Sequence, residues 1–587
     1  MRAFVKFFLA ALLALVLFFG LVFVVMLTAI GSLASRSQSP APGRSILYID
    51  LSRHYAERKV ENPFKLFSGD DDGETPTLRE LVRLVDMASK DSSVKGIYLL
   101  SNSNGNGYAA SDEIRDAVKR FRGTGKFVIA YGDYISQGAY HVANVADRIY
   151  CNPQGDLDWR GFSVSYVFFK QLIDRLGIQP QIFYDGKFKS ATEPFREDHM
   201  TAANRIQTEA WLGDMYRGFL EQTASARRLD TASLRAWANT HAMETPDDAV
   251  RSGLLDGVRY DDQVRDEIKQ RLNIRKEDKI PFLMPGTYMA TMSEERSSSK
   301  DKIALVYADG EIVYGKSEEG GQVASDEYRS VIRRIRYDKD VKAIVLRVNS
   351  PGGSSLASEI IWRELTLASQ GGIPVVVSMG DLAASGGYYI SCLADSVFAE
   401  PNTLTGSIGV FSIVPNFGPM LKNKLGITFD GVKTANYADA LTVTRALTDQ
   451  EKRIMQRDVD RIYGDFKARV AAGRKMDTAF VDSIAQGRVW TGNHALANHL
   501  VDRLGHLDDA IRSAARLAKL KDYTVREYPE PRSIFDLLKG KYSRYYRSSM
   551  LESDLGTEQY AIFNQIARLK EANGEVQARI PWTFTIR

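Results

Sequence analysis

Histidine and cysteine are scarce in this 587-residue chain, with seven of the first and two of the second. Cys151 and Cys392 sit far apart in apolar runs, with no CxxC spacing and no histidine partner, which reads as two buried structural thiols. No metal site follows from them, and no cofactor is expected. Neither sign of charge is in excess, since 77 Lys plus Arg nearly cancel 73 Asp plus Glu. A basic stripe and a reading motif are both missing, so nothing asks for nucleic acid. Low-complexity blocks are missing too; the composition is that of an ordinary globular protein, long enough for several domains.

Long apolar runs are absent after the N-terminus, and present once at it. The run from Phe7 to Ile30 holds 24 uncharged, mostly apolar residues. As a helix it would extend about 36 Å, enough to cross a bilayer core. A cleavable signal peptide has a shorter apolar core of about 7–15 residues, although "SLA" before Ser35 reads as a weak cleavage site. The expectation is an uncleaved N-terminal anchor over 1–44, tether included, with the bulk of the chain exported.

Beyond the anchor the chain repeats itself. "YGDYISQGAYHVANVAD" (131–147) returns as "MGDLAASGGYYISCLAD" (379–395) at an offset of 248. "DSSVKGIYLL" (91–100) returns as "DKDVKAIVLR" (338–347), and "RLGI" (175–178) as "KLGI" (424–427). A nearly constant offset over this span means duplication with small loop insertions. The pattern predicts two tandem domains, 45–285 and 303–587, joined by a polar connector at 286–302. Within each half, short β-branched runs alternate with stretches of helical periodicity. That alternation implies an α/β fold with a mainly parallel sheet covered on its faces.

The copies differ where chemistry would sit. Ser385 of the later copy faces Gln137 of the earlier one. A strand runs through Gly380-Asp381 into a helix that begins near Ser385, so the hydroxyl falls at a helix N-terminus. The amide of Gly386 is a natural oxyanion donor, and "RVNSPGGS" (347–354) offers a second through Gly352 or Gly353. None of the seven histidines (54, 141, 199, 241, 494, 499, 506) falls in a triad motif. The earlier copy instead carries Lys187 and Lys189 in "YDGKFKSATEPF", where the later copy has "KTANYADALTVT" and Ala438 opposite Lys189. One copy keeps a lysine and loses the serine; the other does the reverse. A catalytic pair divided between the halves is the reading, with a neutral lysine as base. Lys187 is expected in a structural salt bridge, Asp381 in fixing the turn that both copies share, and Tyr388 and Tyr389 in packing.

"GKFKSATEPF", "SPGGS", "GDLAASGGYYISCLAD" and "TGSIGV", in this order behind one N-terminal run, resemble the long duplicated form of the signal peptide peptidase A family, S49. The resemblance covers the chain from the anchor to "ARIPWTFTIR". It implies two ClpP/crotonase-like domains and a serine endopeptidase with a Ser/Lys dyad. Ser385 would be the nucleophile and Lys189 the base. Gly386 with Gly352 or Gly353 would form the oxyanion hole, and Ser407 of "TGSIGV" would orient the lysine. It also implies apolar signal-peptide remnants as substrates, a homotetramer, and a single-pass place in the bacterial cytoplasmic membrane with the catalytic halves on the periplasmic side. Two alternatives stay open here. One is a crotonase-type enzyme acting on a coenzyme A thioester; the other is a scaffold without activity. The basic, aromatic stretch 542–550 is expected to be solvated surface.

Overall fold

A computed structural model of the chain describes residues 43–59, 75–291, 299–317, 321–530 and 574–580, with six single positions before residue 22. Among the described residues no helix is long and apolar enough to cross a membrane. The run 7–30, those single positions apart, lies outside the described residues, as do the stretch 542–550 and positions 292–298 of the expected connector.

The first half contributes β1 (Ser45–Asp50), β2 (Val94–Leu100), β3 (Phe127–Ile135), β4 (Arg148–Leu157), β5 (Gln179–Asp185), β6 (Gly257–Val258) and β7 (Phe282–Leu283). All but β5 form one sheet in the order β6-β4-β3-β2-β1-β7, and the pairs β1–β2, β2–β3 and β3–β4 are parallel. The strands read as near-continuous apolar runs because helices cover both faces. Helix α1 (Leu78–Lys90) starts where a capping box can form: Thr77 accepts from the Glu80 amide and Glu80 returns the bond to Thr77. Its i, i+3, i+4 spacing buries Leu78, Leu81, Val82 and Val85. Helix α2 (Tyr108–Arg122) and the 26-residue α3 (Ala202–Arg227) pack into the same core, and the helix Asp261–Leu272 covers the opposite face through Val264, Ile268 and Leu272. The chain does not leave this half at 285, since a further helix spans Pro285–Thr291 and its Tyr288 is buried in the first-half core, donating to Asp91 at 2.8 Å.

The second half repeats the plan. Its strands are β8 (Lys302–Asp309), β9 (Ile312–Val313), β10 (Val323–Ala324), β11 (Val341–Ser350), β12 (Gly352–Ser354), β13 (Val375–Ala384), β14 (Ser396–Ala399), β15 (Leu404–Gly406), β16 (Val410–Asn416), β17 (Val489–Thr491), β18 (Arg503–Leu504), β19 (Thr524–Tyr528) and β20 (Gln577–Arg579). A sheet runs β17-β15-β13-β11-β8-β19, with β14 and β18 appended at β13. The parallel succession β8, β11, β13, β14 mirrors β1, β2, β3, β4. The duplication extends to single bonds: Tyr140 donates to Leu254 O in one half and Tyr388 to Leu500 O in the other. Helices α4 (Gly386–Ser391) and α5 (Asp449–Arg474) follow β13 and β16 in chain order, and α5 opens on a Thr448/Glu451 capping box.

A third sheet joins the halves, in the order β10-β9-β12-β20-β16-β5. Strand β5 leaves its own half and pairs antiparallel with β16 over seven positions, from Gln179 opposite Asn416 to Asp185 opposite Val410. A buried ion cluster ties the halves elsewhere: Arg347 of β11, only 1% exposed, donates to Glu57 at 2.8 and 2.9 Å and to Glu113 at 2.5 Å. Asp381 departs from its expected role in the turn. It reaches across the junction and accepts from the amides of Ala109 and Ala110 (2.8 and 3.2 Å), capping α2, whose own N-cap Gly107 has no side chain to do so. Asp133, its counterpart in the first copy, stays home and accepts from Tyr131 and Asn152.

Candidate active site

Two strand registers bring Lys189, Ser407 and Ser385 to one point. Because Asp185 faces Val410, the chain beyond that end of the β5–β16 ladder carries Lys189 four residues after one strand and Ser407 three residues before the other. Ala384 pairs with Gly406 in the parallel β13–β15 register, so the next residues along the two strands are Ser385 and Ser407. The Ser385 amide donates to Gly406 O at 2.8 Å.

Lys189 Nζ lies 2.8 Å from Ser385 Oγ and 3.1 Å from both the carbonyl and the hydroxyl oxygen of Ser407. Nζ stands as donor to all three oxygens, and in an uncharged amine the same 2.8 Å contact can be turned round, the lone pair accepting the Ser385 proton. Both side chains are buried, Lys189 at 1% and Ser385 at 0% exposure. Burial pushes the Lys189 ammonium well below the ordinary lysine value, and no charged neighbour enters that balance. Ser385 Oγ has one further partner, Gly409 O at 3.3 Å.

Ser385 itself sits at φ 56°, ψ −111°, an uncommon conformation for a residue with a Cβ. Such a backbone costs about 1–3 kcal/mol and persists where surrounding structure over-determines it. Here the Gly406 bond and the start of α4 do so.

The two glycine loops meet beside the serine. A methyl group placed on Gly352 (φ +95°) would lie 2.1 Å from Ala578 O, 2.7 Å from Gly386 N and 2.9 Å from Ala384 O. Only glycine allows that approach. The two glycines of this loop have different work to do, because the Gly352 amide already donates to Ser350 Oγ at 3.2 Å. Gly353 is paired with Ala578 in the antiparallel β12–β20 ladder, and Gly352 makes room beside the Gly386 amide.

Lys187, in contrast, lies in a turn rather than on a strand, so it does not share the Lys189 face. It is exposed, with its ammonium 5.1 Å from the centre of the Phe188 ring in place of the expected salt bridge. Gln137, which faces Ser385 in the duplication, is a brace: its Oε1 accepts from the amides of Arg160 and Gly161 and its Nε2 donates to Gly161 O. Ala438 is exposed and away from any such pairing.

Several supporting residues carried no signal in the sequence. Gly487 (φ +74°) packs so closely on the lysine turn that a Cβ would lie 2.7 Å from Lys189 N and Cβ. The strip around it is sewn to both sides: Phe188 N donates to Gln486 O, Gly487 N to Ile408 O and Ser407 N to Arg488 O, at 2.7–2.8 Å. Gln207 of α3 donates to Phe188 O and Ser190 Oγ and accepts from Val489 N, linking the lysine turn to β17. No short motif surrounds Gly487 or Gln207, and only the fold shows what they touch.

The model of peptidase family S49 matches the chain twice, at residues 120–275 and 368–521. Protease 4 of Salmonella typhi is 35% identical over 539 residues, covering 88% of this chain and 85% of that protein. Protease 4 of Haemophilus influenzae is 32% identical over 527 residues, covering 87% and 85%. The chloroplastic serine protease SPPA of Arabidopsis thaliana is 30% identical over 463 residues, covering 77% and 68%.

Proposed function

The chain belongs to peptidase family S49 and is a serine-type peptidase, and from that premise we propose that it is a membrane-anchored endopeptidase that degrades apolar signal-peptide remnants with Ser385 as nucleophile and Lys189 as base. One observation carries the reading. A lysine from one half, buried and without a carboxylate, lies 2.8 Å from the buried hydroxyl of a serine from the other.

Neutral Lys189 takes the Ser385 proton as Oγ adds to a peptide carbonyl. The Gly386 amide stabilises the oxyanion, which develops only as the tetrahedral intermediate forms. The ammonium then hands its proton to the leaving amine, and water releases the acyl group by the same route. Ser407 holds Nζ with its lone pair toward Oγ. Removing bulk water from around the amine both keeps it neutral and strengthens that amide donor.

The proposal keeps the ClpP/crotonase type of fold for each half. It also includes the anchor over 7–30, with the catalytic halves on the periplasmic side of the bacterial cytoplasmic membrane, and assembly as a homotetramer. The uncharged N-terminal run supports the anchor, which would hold the site beside apolar peptides left in the bilayer. A serine-type peptidase replaces the thioester-enzyme and scaffold alternatives.

The experiment uses the full chain in detergent and a fluorogenic apolar signal-peptide fragment. Lys189→Ala is expected to lose about 10²–10⁴-fold in kcat/KM, the usual worth of a general base. Ser385→Ala falls to background, while Lys187→Ala keeps most of the rate. In the wild type kcat/KM rises with pH on a limb below the ordinary lysine range. An active Lys189→Ala variant would sink the assignment of the base.

A further inference from the structure

Beside the dyad lies a cation that no acid of the described chain answers. Arg488 belongs to the strip that faces Ser407: its carbonyl accepts from Ser407 N at 2.7 Å, and the residues after it pair as Val489 with Gly406 and Trp490 with Thr405. Its guanidinium lies over two rings, 5.1 Å from the centre of Phe188 and 4.2 Å from that of Trp490. Phe188 comes from the first half and directly precedes Lys189. Trp490 comes from the second and packs on the residue before Ser407, where a Cβ on Gly406 would lie 2.8 Å from its ring. Trp490 Nε1 donates to Ile484 O at 2.9 Å, which fixes that ring. Stacking engages the face of a guanidinium and leaves its in-plane N–H edge free to take an anion.

Arg488 is half-buried, its Nε is buried without an acceptor, and among the described residues no carboxylate pairs with it. Burial lowers its pKa with no acid to offset the shift. The ring-stacked Arg259, Arg271 and Arg469 each hold a glutamate as well. Asp482, the nearest acid along the chain, is taken by Lys467 at 2.6 Å and by Gln486 at 3.2 Å. A cation drawn out of water without a counter-ion costs stability, and the earlier copy does not carry it. The copies run at an offset of 246 here, since Thr245 and Thr491 each cap the helix that follows, as Leu254 and Leu500 each accept from the matching tyrosine. Ala242 therefore stands where the later copy has Arg488, and Glu244 where it has Trp490. Like Ser385, the unpaired guanidinium belongs only to the copy that bears the nucleophile.

We propose that the Arg488 guanidinium, set on Phe188 and Trp490, binds the free α-carboxylate of a peptide whose chain ends a few residues beyond the bond being cut. The inference rests on Ser385 and Lys189 acting as proposed above. The side follows from the base: the amine that takes the Ser385 proton must hand it to the leaving nitrogen, so the lysine turn lies on the leaving side of the attacked carbonyl. Phe188, one residue before that lysine, puts the guanidinium on the same side. An extended peptide advances about 3.3 Å per residue, so a carboxylate held there lies roughly two to four residues past the cut. The two oxygens of a carboxylate match the guanidinium fork with parallel charge-assisted bonds, which the uncharged amide of a continuing chain does not offer. Lys187, exposed beside the same Phe188 ring, adds positive potential but no fork. Arg488 thereby becomes a specificity residue that favours peptides with an end near the cut over the same sequence inside a longer chain.

The test compares matched peptides on the full-length enzyme in neutral detergent. One apolar fluorogenic peptide, its cut bond located by mass, is made to end three residues past that bond, either as the free carboxylate or as the carboxamide. Wild type is expected to prefer the carboxylate about 10–100-fold in kcat/KM, the worth of a hydrogen-bonded charge pair, with the difference carried by KM. Lengthening both peptides by eight residues on the leaving side should erase the preference. Arg488→Gln should bring the carboxylate-to-amide ratio to within about threefold of unity, whereas Lys187→Ala keeps most of the preference. Reading a ratio within each variant cancels any general loss of activity, and the wild-type comparison needs no variant at all. Equal rates on the two short peptides would overturn the inference and leave the peptidase reading intact. A preference that survives lengthening, or that Lys187→Ala erodes as far as Arg488→Gln does, would overturn it too, because a diffuse positive field would then be the cause. So would an unchanged ratio in an Arg488→Gln variant that no longer binds vesicles of phosphatidylcholine with phosphatidylglycerol, since the guanidinium would then serve lipid. If no peptide is cut, the assignment of Ser385 fails and takes this inference with it.

Discussion

Gly487→Ala tests whether the lysine is held in place by close backbone approach. Position 487 sits at φ +74°, where a residue with a Cβ costs about 1–2 kcal/mol relative to glycine. The new methyl would also lie 2.7 Å from Lys189 N and Cβ and 2.8 Å from Cα, all within the strip that faces Ser407. Backbone cannot rotate away as a long side chain can, so the lysine turn or the 486–488 strip must shift by several tenths of an ångström. Displacing a reacting group by about 1 Å costs roughly 10²-fold in rate. The expected result is a variant that folds, loses about 1–3 kcal/mol of stability, and loses about 10–100-fold in kcat/KM with KM little changed. Gly464→Ala and Gly213→Ala are the internal controls. Both positions lie inside long helices with nothing within 4 Å of a new methyl group. Each should gain about 0.5–1 kcal/mol and keep full activity. Urea unfolding and steady-state kinetics on the three variants decide it. Activity of Gly487→Ala within about threefold of wild type would refute the reasoning, since a shift that matters to geometry must reach the rate.

Three further outcomes rest on named contacts. Burial holds the Lys189 pKa below its unfolded value, so between the two the unfolded chain binds more protons and stability rises with pH. Lys189→Met should therefore melt above wild type at pH 7, with the gap closing toward about pH 10.4; no gap at pH 7, or one that widens with pH, would count against a neutral amine. Arg347→Met leaves the Glu57 and Glu113 carboxylates facing each other without their cation, and a loss of about 3–5 kcal/mol in urea unfolding is expected. Asp381→Ala uncaps α2 from across the junction and should cost about 1 kcal/mol, with Asp381→Asn closer to wild type because its carbonyl still accepts. Equal losses for Ala and Asn would mean that the capping bonds are not what Asp381 contributes.

Much of the site was legible because the chain supplies its own comparison. Ser385 against Gln137, and Lys189 against Ala438, are differences between two copies of one plan, and a difference at a reactive residue is readable without coordinates. Gly352 and Gly353 were readable only as a pair, because nothing in "PGG" says that the first amide is already engaged by Ser350. A salt bridge for Lys187 is the default for an exposed charge, but the turn after β5 sets its ammonium over a ring instead. Asp381 misled for a related reason. Its repetition in both copies suggested one local task, yet the partner it found belongs to the other half, and no local pattern encodes that.

The order of residues determined the elements, the duplication and the types of group available for chemistry, since hydrophobic period, capping residues and glycine positions act over a few residues at a time. Which groups touch was decided by register. Asp185 opposite Val410 and Ala384 beside Gly406 carry Lys189, Ser407 and Ser385 to within hydrogen-bond distance. Ala578 opposite Gly353 likewise brings a distant C-terminal strand against the same loops. Register depends on the sum of many weak side-chain contacts across partners far apart in the chain, and only the folded chain performs that sum.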